Sequence, residues 1–272
     1  MSAPQPPSGP AYDTLRLERH EAVDWLTLSR PDRMNALSNT MIDELQDYFG
    51  RLSQDHATRV VVLRGAGRAF CAGLDLKDPP PTGEGPAGGM RGQRRISEIM
   101  MRMRRCPQPI IALVNGAASG GGFALALAAD VRIAAEDARM NVAFIRIGLS
   151  GCDVGVSYFL PRMVGVSVAA ELMLTGRFID AQRALRTGLV SEVVPAAELT
   201  AAGEALVSDM LATSPLGLRL TKEGLNMSVD ASSLESVVAM EDRQQILCAG
   251  GGDFREGVDA FLEKRQPRYR DD

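Results

Sequence analysis

Three short, predominantly apolar runs are the feature that most constrains how this chain can fold. They read RVVVLRG (59–65), PIIALVN (109–115) and VRIAA (131–135). Continuous runs of this kind are typical of strands buried on both faces of a parallel sheet. An amphipathic segment (96–103) separates the first two runs, and a segment rich in alanine and leucine, beginning at Gly122, separates the last two. The alternation predicts an α/β fold with helical crossovers between parallel strands.

The flanking segments predict a hairpin and a helix before these runs and mainly helices after them. Strand-like patterns cover 12–17 and 22–29 with a tight turn between them. Helical patterns cover 39–52, 154–162, 167–174 and 180–186, and longer ones follow to the end of the chain. In the last of these, Asp253 and Glu256 have the spacing of a capping box.

These patterns predict three regions: a disordered tail (1–11), an α/β core (12–195) and a helical C-terminal region (196–272). Residues 78–92, rich in proline and glycine, are predicted to form an irregular, mobile surface loop. In the final helix, four apolar residues share one face, and such an exposed stripe often packs on a neighbouring subunit: Phe254, Val258, Phe261 and Leu262.

Composition excludes several classes of protein. A net charge of −4 argues against a nucleic-acid binder. The four cysteines show no metal-ligand spacing and are expected to be reduced thiols. The presence of only two histidines argues against a histidine triad or a zinc site. No uncharged apolar run has membrane-spanning length, so we expect a cytoplasmic protein without a membrane partner.

Familiar nucleotide and hydrolase motifs fail on detail. GAGRAF (65–70) begins like a dinucleotide fingerprint, but Phe70 stands where the third glycine belongs and no helix is predicted there. A nicotinamide-binding oxidoreductase therefore stays only a minor alternative. Ser119 is one residue too late for a G-x-S-x-G nucleophile, and Cys152 replaces the last glycine after Ser150. Both serines are interpreted as turn residues.

Two glycine-bearing junctions remain, AFCAGLDLK (69–77) and NGAASGGGFALA (115–126). Both follow predicted parallel strands, at the sheet edge where α/β folds bind ligands. Each could offer a backbone N–H, from about Leu74 and about Gly121, and two converging N–H groups form an oxyanion hole. From spacing alone, two tight turns without a ligand are an equally good interpretation.

Five segments in register resemble the crotonase superfamily, the enoyl-CoA hydratases and isomerases. They are RPDRMNALS, GAGRAFCAGLDLK, PIIALVNGAASGGGFALALAADVRIA, LTGRFIDAQRALRTGLV and DFREGVDAFLEKR, and the resemblance covers about residues 12–268. It implies a spiral of repeated β-β-α units with C-terminal helices that build a homotrimer or a dimer of trimers. It also implies that the N–H groups of Leu74 and Gly121 hold the thioester oxygen of an acyl-CoA.

The resemblance further implies which residues contact coenzyme A, which enters as part of the substrate, with no other cofactor and no metal. The matching positions lie in the turn RPDRMNAL, in AGLDLK and in FLEKR: Arg33, Ala36, Ala72, Asp75, Leu76, Lys77 and Lys264. For the three basic residues among them, ordinary surface charge is an equal alternative.

The chain departs from the family at the two glutamates that typical hydratases use. Ala124 and Phe144 stand at those positions, and neither side chain can transfer a proton. Asp153, in GCDVG, remains. The residues alone favour a helix N-cap for it. In the family, however, an acid at this place serves the isomerases that shift a double bond, and an aspartate followed by VG resembles the dienoyl-CoA isomerases.

The resemblance therefore implies an enoyl-CoA isomerase with Asp153 as its single acid/base, and Cys152 is a weaker candidate. A divergent hydratase and a non-catalytic acyl-CoA-binding protein are the alternatives. The acyl pocket is expected to be lined by Met90, Ile96, Met100 and Phe144.

Overall fold

The strands form two sheets in a computed structural model that describes residues 11–78 and 85–271. The strands of this part of the chain are β1 (Leu15–His20), β2 (Val23–Leu28), β3 (Val60–Gly65), β4 (Ala69–Cys71), β5 (Ile110–Val114), β6 (Ala117–Ser119), β7 (Val131–Ala135), β8 (Arg139–Asn141), β9 (Ile179–Asp180) and β10 (Glu192–Val194). The larger sheet has the order β1-β2-β3-β5-β7-β10, and the smaller one has the order β4-β6-β8-β9. Apart from the β1–β2 hairpin and the β8–β9 pair, neighbouring strands are parallel.

The helices connect the strands into a spiral. They are α1 (Asn39–Arg51), α2 (Gly85–Arg105), α3 (Gly121–Ala128), α4 (Val156–Val164), α5 (Val166–Thr175), α6 (Ala181–Arg186), α7 (Leu199–Leu211), α8 (Pro215–Ser228), α9 (Leu234–Gly250) and α10 (Gly252–Glu263). Each turn of the spiral adds one strand to the larger sheet, one short strand to the smaller sheet and then a helix, as in β3-β4-α2 and β5-β6-α3. The predicted α/β fold of repeated β-β-α units is confirmed.

Two local predictions were wrong. Residues 85–92 were expected to be irregular but form the start of α2, in which Gly88 and Gly92 are buried. Part of the predicted loop and most of the predicted tail (79–84 and 1–10) lie outside the described residues. The capping box of the last helix does not form, since Gly251 is the N-cap without a side-chain bond. Instead Asp253 accepts the Arg270 N–H at 2.8 Å.

The core lies between the larger sheet and the helices, and α3 is at its centre. Every residue of α3 is buried, which explains why its sequence has no polar face. α2 and α4 pack against α3. On the other side of the larger sheet, α7 packs through Leu199 and Val207. The segment after residue 196 is helical as predicted, and its first helix covers the sheet.

A buried lysine connects α8 to the core. Lys222 is 4% exposed, and its ammonium lies 2.9 Å from Asp130 Oδ2. It also donates to the carbonyl oxygens of Met103 at 3.0 Å and Gln108 at 2.8 Å. Asp130 in turn accepts the backbone N–H of Ile110 at 2.8 Å. One charge therefore joins α8, the end of α2 and the start of β5.

The remaining helices expose apolar side chains. Among the described residues of α9 none is buried, and α10 exposes 83% of Phe261 and 72% of Leu262. Phe254 and Val258, on the same predicted stripe, are also exposed. In the described part of the chain, no helix combines the length and the apolar character needed to span a membrane.

Replacing Lys222 by methionine should destabilise the fold by about 3 kcal/mol, because it leaves a partly buried carboxylate and two carbonyl groups without their cation. Chemical denaturation measures this difference. Arg186→Met, at an exposed position of α6, is the control and should change stability by less than about 0.5 kcal/mol. Equal stability of the two variants would contradict the anchoring role of Lys222.

Candidate functional site

The first part of the site is the turn that follows β4. Residue 74 forms a parallel bridge with Leu37, in which Leu37 N–H donates to Gly73 O at 2.8 Å and Asp75 N–H donates to Leu37 O at 3.0 Å. In such a bridge the amides of consecutive residues point to opposite sides. The Leu74 N–H is therefore directed away from Leu37.

The second part is the beginning of α3, after Gly120. Gly121 is the first residue of this helix, so its N–H has no acceptor within the helix. The two parts are adjacent: a Cβ placed on Gly121 would lie 4.0 Å from the Leu74 nitrogen, and one placed on Gly73 would lie 3.4 Å from the Gly121 nitrogen. The N–H groups of Leu74 and Gly121, predicted from the sequence, are thus brought together.

Two glycines allow this close approach. A Cβ on Gly122 would lie 2.1 Å from Cys71 O, and a Cβ on Gly73 would lie 2.7 Å from Ser119 O. Both distances are too short for any larger residue. Gly73 also has a φ of 92°, which favours glycine. The glycine run therefore serves to bring α3 against the β4 turn.

The carbonyl end of α3 is satisfied by a buried arginine. Arg132 donates from Nη1 to Ala129 O at 2.6 Å and to Ala126 O at 3.4 Å, and from Nε to Leu189 O at 2.8 Å. Burial lowers the pKa of Arg132 to about 10, which leaves the guanidinium charged at neutral pH. A cation at the C-terminus complements the helix dipole, whose positive end lies at Gly121.

The two positions without glutamate lie beside these donors. Ala124 is fully buried on α3, and its N–H donates to Gly120 O at 3.0 Å. Phe144 belongs to a short helical turn, Ala143–Ile147, and a Cβ on Gly120 would lie 3.3 Å from its ring. A methyl group and a phenyl ring thus line the region around Gly121, and neither can exchange a proton.

Asp153 is not a helix cap. The N-cap of α4 is Gly155, without a side-chain hydrogen bond. The Asp153 carboxylate instead accepts hydrogen bonds from the side-chain amide of Gln93, on α2, and from the Val154 N–H. Burial raises the pKa of Asp153 above its ordinary value, although the two hydrogen bonds act in the opposite direction. The favoured interpretation from the residues alone, an N-cap, is therefore wrong.

The thiol of Cys152, next to Asp153 in the sequence, is not in a comparable environment. Cys152 is exposed, and its N–H donates to Ser150 Oγ at 3.0 Å, so Ser150 is a turn residue as predicted. Cys71 and Cys106 are buried free thiols. Within the described residues, no group of histidine, cysteine and acidic side chains could hold a metal ion.

A cavity of about 790 Å³ lies between α2, α4 and α8. Val154 and Gly155, which follow Asp153, form part of its wall. Ser97 and Met100 line it from α2, one and two turns beyond Gln93. Of the four residues expected to line an acyl pocket, only Met100 lies on this wall. Ile96 is buried in the core, Phe144 lies against Gly120, and Met90 is exposed.

The candidate CoA contacts are found in different settings. Arg33, Leu76 and Lys77 are exposed, Ala72 is partly exposed and Ala36 is buried. Lys264 is the C-cap of α10 in a left-handed conformation. Asp75 is largely buried, and Arg30 Nη2 lies 2.9 Å from its Oδ2. Burial alone would raise the pKa of Asp75, but the Arg30 and Lys77 hydrogen bonds and the nearby cations lower it.

Sequence reasoning missed three residues that shape the site. Gln93 was assigned to no element, although its spacing from Ser97 and Met100 fits one helix face. Arg30 was not considered as a partner for Asp75. Asn35 is fully buried, and its amide donates to the carbonyl oxygens of Ala66 at 2.9 Å and Ala69 at 2.8 Å. The surrounding sequence, RPDRMNALS, is mostly polar and gave no signal that Asn35 would be buried.

GAGRAF does not bind a dinucleotide in the usual way, since the short strand β4 follows the glycines and not a helix. The spiral of β-β-α units, with glycine-rich turns between its short strands and helices, is instead the architecture of the crotonase superfamily.

Comparisons with known proteins agree with this class. The family model "Enoyl-CoA hydratase/isomerase" matches residues 18–272. "Probable enoyl-CoA hydratase EchA12" of Mycobacterium tuberculosis is 41% identical over 253 residues, covering 91% of this chain and 89% of that protein. The 1,2-epoxyphenylacetyl-CoA isomerase of Escherichia coli is 37% identical over 251 residues, with coverage of 92% and 95%.

A crystal structure of a probable enoyl-CoA hydratase/isomerase from Mycobacterium abscessus superposes with a TM-score of 0.89 at 38% identity, covering 95% of this chain and 99% of that one. The chain belongs to the enoyl-CoA hydratase/isomerase family.

Replacing Gly122 by alanine should destabilise the protein by about 1–3 kcal/mol, because the new methyl group would force α3 away from the β4 turn. Thermal or chemical denaturation measures the loss. Gly89→Ala is the matched control, since a Cβ there meets nothing within 4 Å. A Gly122→Ala variant as stable as the wild type would show that the two segments are not in close contact.

Proposed function

We propose that this protein is an enoyl-CoA isomerase, which shifts the double bond of an enoyl-CoA thioester with Asp153 as its only acid/base. The N–H groups of Leu74 and Gly121 hold the thioester oxygen. The reaction needs no cofactor beyond the coenzyme A carried by the substrate.

The environment of Asp153 is the observation that carries this proposal. Among the described residues, no arginine or lysine pairs with this carboxylate, and its pKa is raised by burial, which brings a carboxyl group closer to the pH at which it can both take and return a proton. The two usual acidic positions, occupied by Ala124 and Phe144, offer no alternative. The adjacency of the Leu74 and Gly121 amides supports the second part of the proposal.

The chemistry balances with one carboxylate. The ionised Asp153 takes a proton from the α-carbon of a 3-enoyl thioester, and the electron pair of that C–H bond delocalises into the thioester as a dienolate. The two N–H groups and the positive end of α3 stabilise the negative oxygen. The protonated Asp153 then returns the proton to the γ-carbon, and the double bond moves to the 2-position.

The remaining parts of the substrate have candidate sites. The cavity beside Val154 and Gly155 is within the usual size range for a small-molecule site, and the acyl chain enters it. The CoA part contacts the exposed Arg33, Leu76, Lys77 and the segment around Ala36 and Ala72, and Lys264 reaches a phosphate. Because Arg30 holds its carboxylate, Asp75 contributes by fixing the shape of this turn.

The assembly follows from the exposed stripe of α10. Four apolar side chains on one face favour contact with another copy of the chain, as a trimer or a dimer of trimers. Phe261→Asp should lower the molar mass measured by light scattering to that of a smaller species, because it places a charge in an apolar interface. Asp259→Asn, an exposed change on the same helix, should leave the mass unchanged. An unaltered mass for Phe261→Asp would contradict an interface through this face.

Replacing Asp153 by asparagine should lower the rate of 3-enoyl-CoA isomerisation by about 10²-fold or more, since the amide cannot accept the proton. Binding of a saturated acyl-CoA should persist. For the wild type, the rate should fall as the pH is lowered, and the midpoint of this fall should lie above the ordinary pKa of an aspartate. Burial raises the pKa of Asp153, and only the ionised form of this residue is a base.

Rates on 2-enoyl-CoA and 3-enoyl-CoA separate the alternatives. Faster water addition to a 2-enoyl-CoA than isomerisation of a 3-enoyl-CoA would identify a divergent hydratase. Tight acyl-CoA binding without turnover of either substrate would identify a non-catalytic binding protein. Undiminished isomerisation by the Asp153→Asn variant would overturn the role of Asp153.

A further inference from the structure

A side chain from a distant part of the sequence holds Asp153. Gln93 lies 60 residues earlier, on α2, and its Nε2 donates to Asp153 Oδ1. The contact joins α2 to the segment that precedes α4. Ser97, one turn later, donates to the Gln93 carbonyl oxygen at 3.2 Å, as is common for a serine within a helix. Gln93 therefore lies on a regular helical turn of α2.

Little else among the described residues acts on this carboxylate. Burial, the Val154 N–H and Gln93 are the influences on its pKa. No charged group of the described residues is among these influences, including Arg91 and Arg94, close to Gln93 in sequence, and Arg146, in the turn before Gly148. Arg146 donates to Thr175 O at 3.3 Å. The Cys152 thiol, next in sequence, is exposed.

The Val154 N–H comes from strained backbone. Val154 has a φ of 39° and Gly155 a φ of 92°, so two consecutive residues adopt positive φ directly after Asp153. A β-branched residue adopts this conformation only where the surroundings enforce it. The backbone conformation thus sets the direction in which the Asp153 side chain leaves the main chain, and Gln93 fixes its carboxylate.

We propose that Gln93 is a positioning residue for Asp153, holding Oδ1 so that Oδ2 faces the carbons between which the proton moves. This inference rests on the proposed function, because it assigns a task to the carboxylate that transfers the proton. The amide contacts neither the substrate nor the oxygen that receives the proton.

An amide suits this task better than a cation. A guanidinium or ammonium group next to a carboxylate lowers its pKa by about 1–3 units, which weakens it as a base. A neutral amide has no charge to contribute and stays a donor at every working pH. Oδ1 can accept the same hydrogen bond whether Oδ2 is ionised or protonated, so the side chain keeps its orientation throughout the proton transfer.

The test compares three variants by the pH dependence of kcat/KM on a 3-enoyl-CoA. Gln93→Met removes the donor at similar length, and should lower kcat about tenfold with little change in KM. Gln93→Glu adds a like charge and should move the acid limb to higher pH. Gln93→Lys adds a cation and should move it to lower pH. Opposite shifts are not expected from a purely structural role.

Arg94→Gln is the matched control, since it changes the net charge by the same amount as Gln93→Glu at the adjacent position. It should leave the acid limb in place. Equal shifts in Arg94→Gln and Gln93→Glu would mean that general surface charge is responsible, and would overturn the proposal. So would wild-type kcat and pH profiles in all three Gln93 variants.

A second readout does not require turnover. The titration of the Asp153 carboxyl carbon, followed by ¹³C NMR in the free protein, should shift in opposite directions in Gln93→Glu and Gln93→Lys. If these shifts occur but Asp153→Asn keeps full activity, the proposed function fails and the contact stands. If Asp153→Asn is inactive and the Gln93 variants titrate like the wild type, the function stands and the role of Gln93 is overturned.

Discussion

The structure depends on how one wholly buried helix is satisfied at both of its ends. α3 has no polar face, so its free N–H and C=O groups are the only polar atoms it brings into the core. Arg132 donates to the carbonyl oxygens at one end. At the other end, the Gly121 N–H lies beside the β4 turn, where no protein side chain caps it. A helix that would otherwise carry an unsatisfied donor in the interior can instead bind an anionic oxygen of a ligand.

The close approach of α3 to the β4 turn explains why the glycines are needed. It also explains why the two glutamates of typical hydratases can be absent. Gly122 and Gly73 let two backbone segments approach to distances that no side chain permits. In the proposed function, the binding of a carbonyl group depends on that approach and not on the residues at the catalytic positions. Ala124 and Phe144 therefore remove two proton carriers without disturbing the donors, because one is packed inside α3 and the other lies against Gly120. In the proposed function, substrate binding and proton transfer are therefore separable, because the backbone donors perform the first and Asp153 performs the second.

The sequence patterns correctly predicted the features that depend mainly on neighbouring residues. The apolar runs became β3, β5 and β7, and the two glycine-bearing junctions are adjacent as expected. Errors arose where tertiary contacts outweigh local preference. Glycine disfavours helices, yet residues 85–92 are helical, and Gly88 and Gly92 are buried in the packed structure. The capping box of Asp253 and Glu256 does not form because both side chains bind residues further along the chain. Asp253 accepts the Arg270 N–H, and Arg265 lies 2.6 Å from Glu256. The contact between Gln93 and Asp153 joins residues that no local pattern connects.

Two aspartates of this chain illustrate how surroundings, and not residue type, determine chemical roles. Asp75 pairs with Arg30, and its pKa is lowered, so it stays ionised at neutral pH. Asp153 is only partly buried, but its partner is an amide, and its pKa is raised. Burial acts in the same direction on both carboxyl groups, but at Asp75 the Arg30 and Lys77 hydrogen bonds and the nearby cations outweigh it. A carboxylate that must release and regain a proton requires a partner that fixes its position without fixing its charge, and of these two aspartates only Asp153 has one.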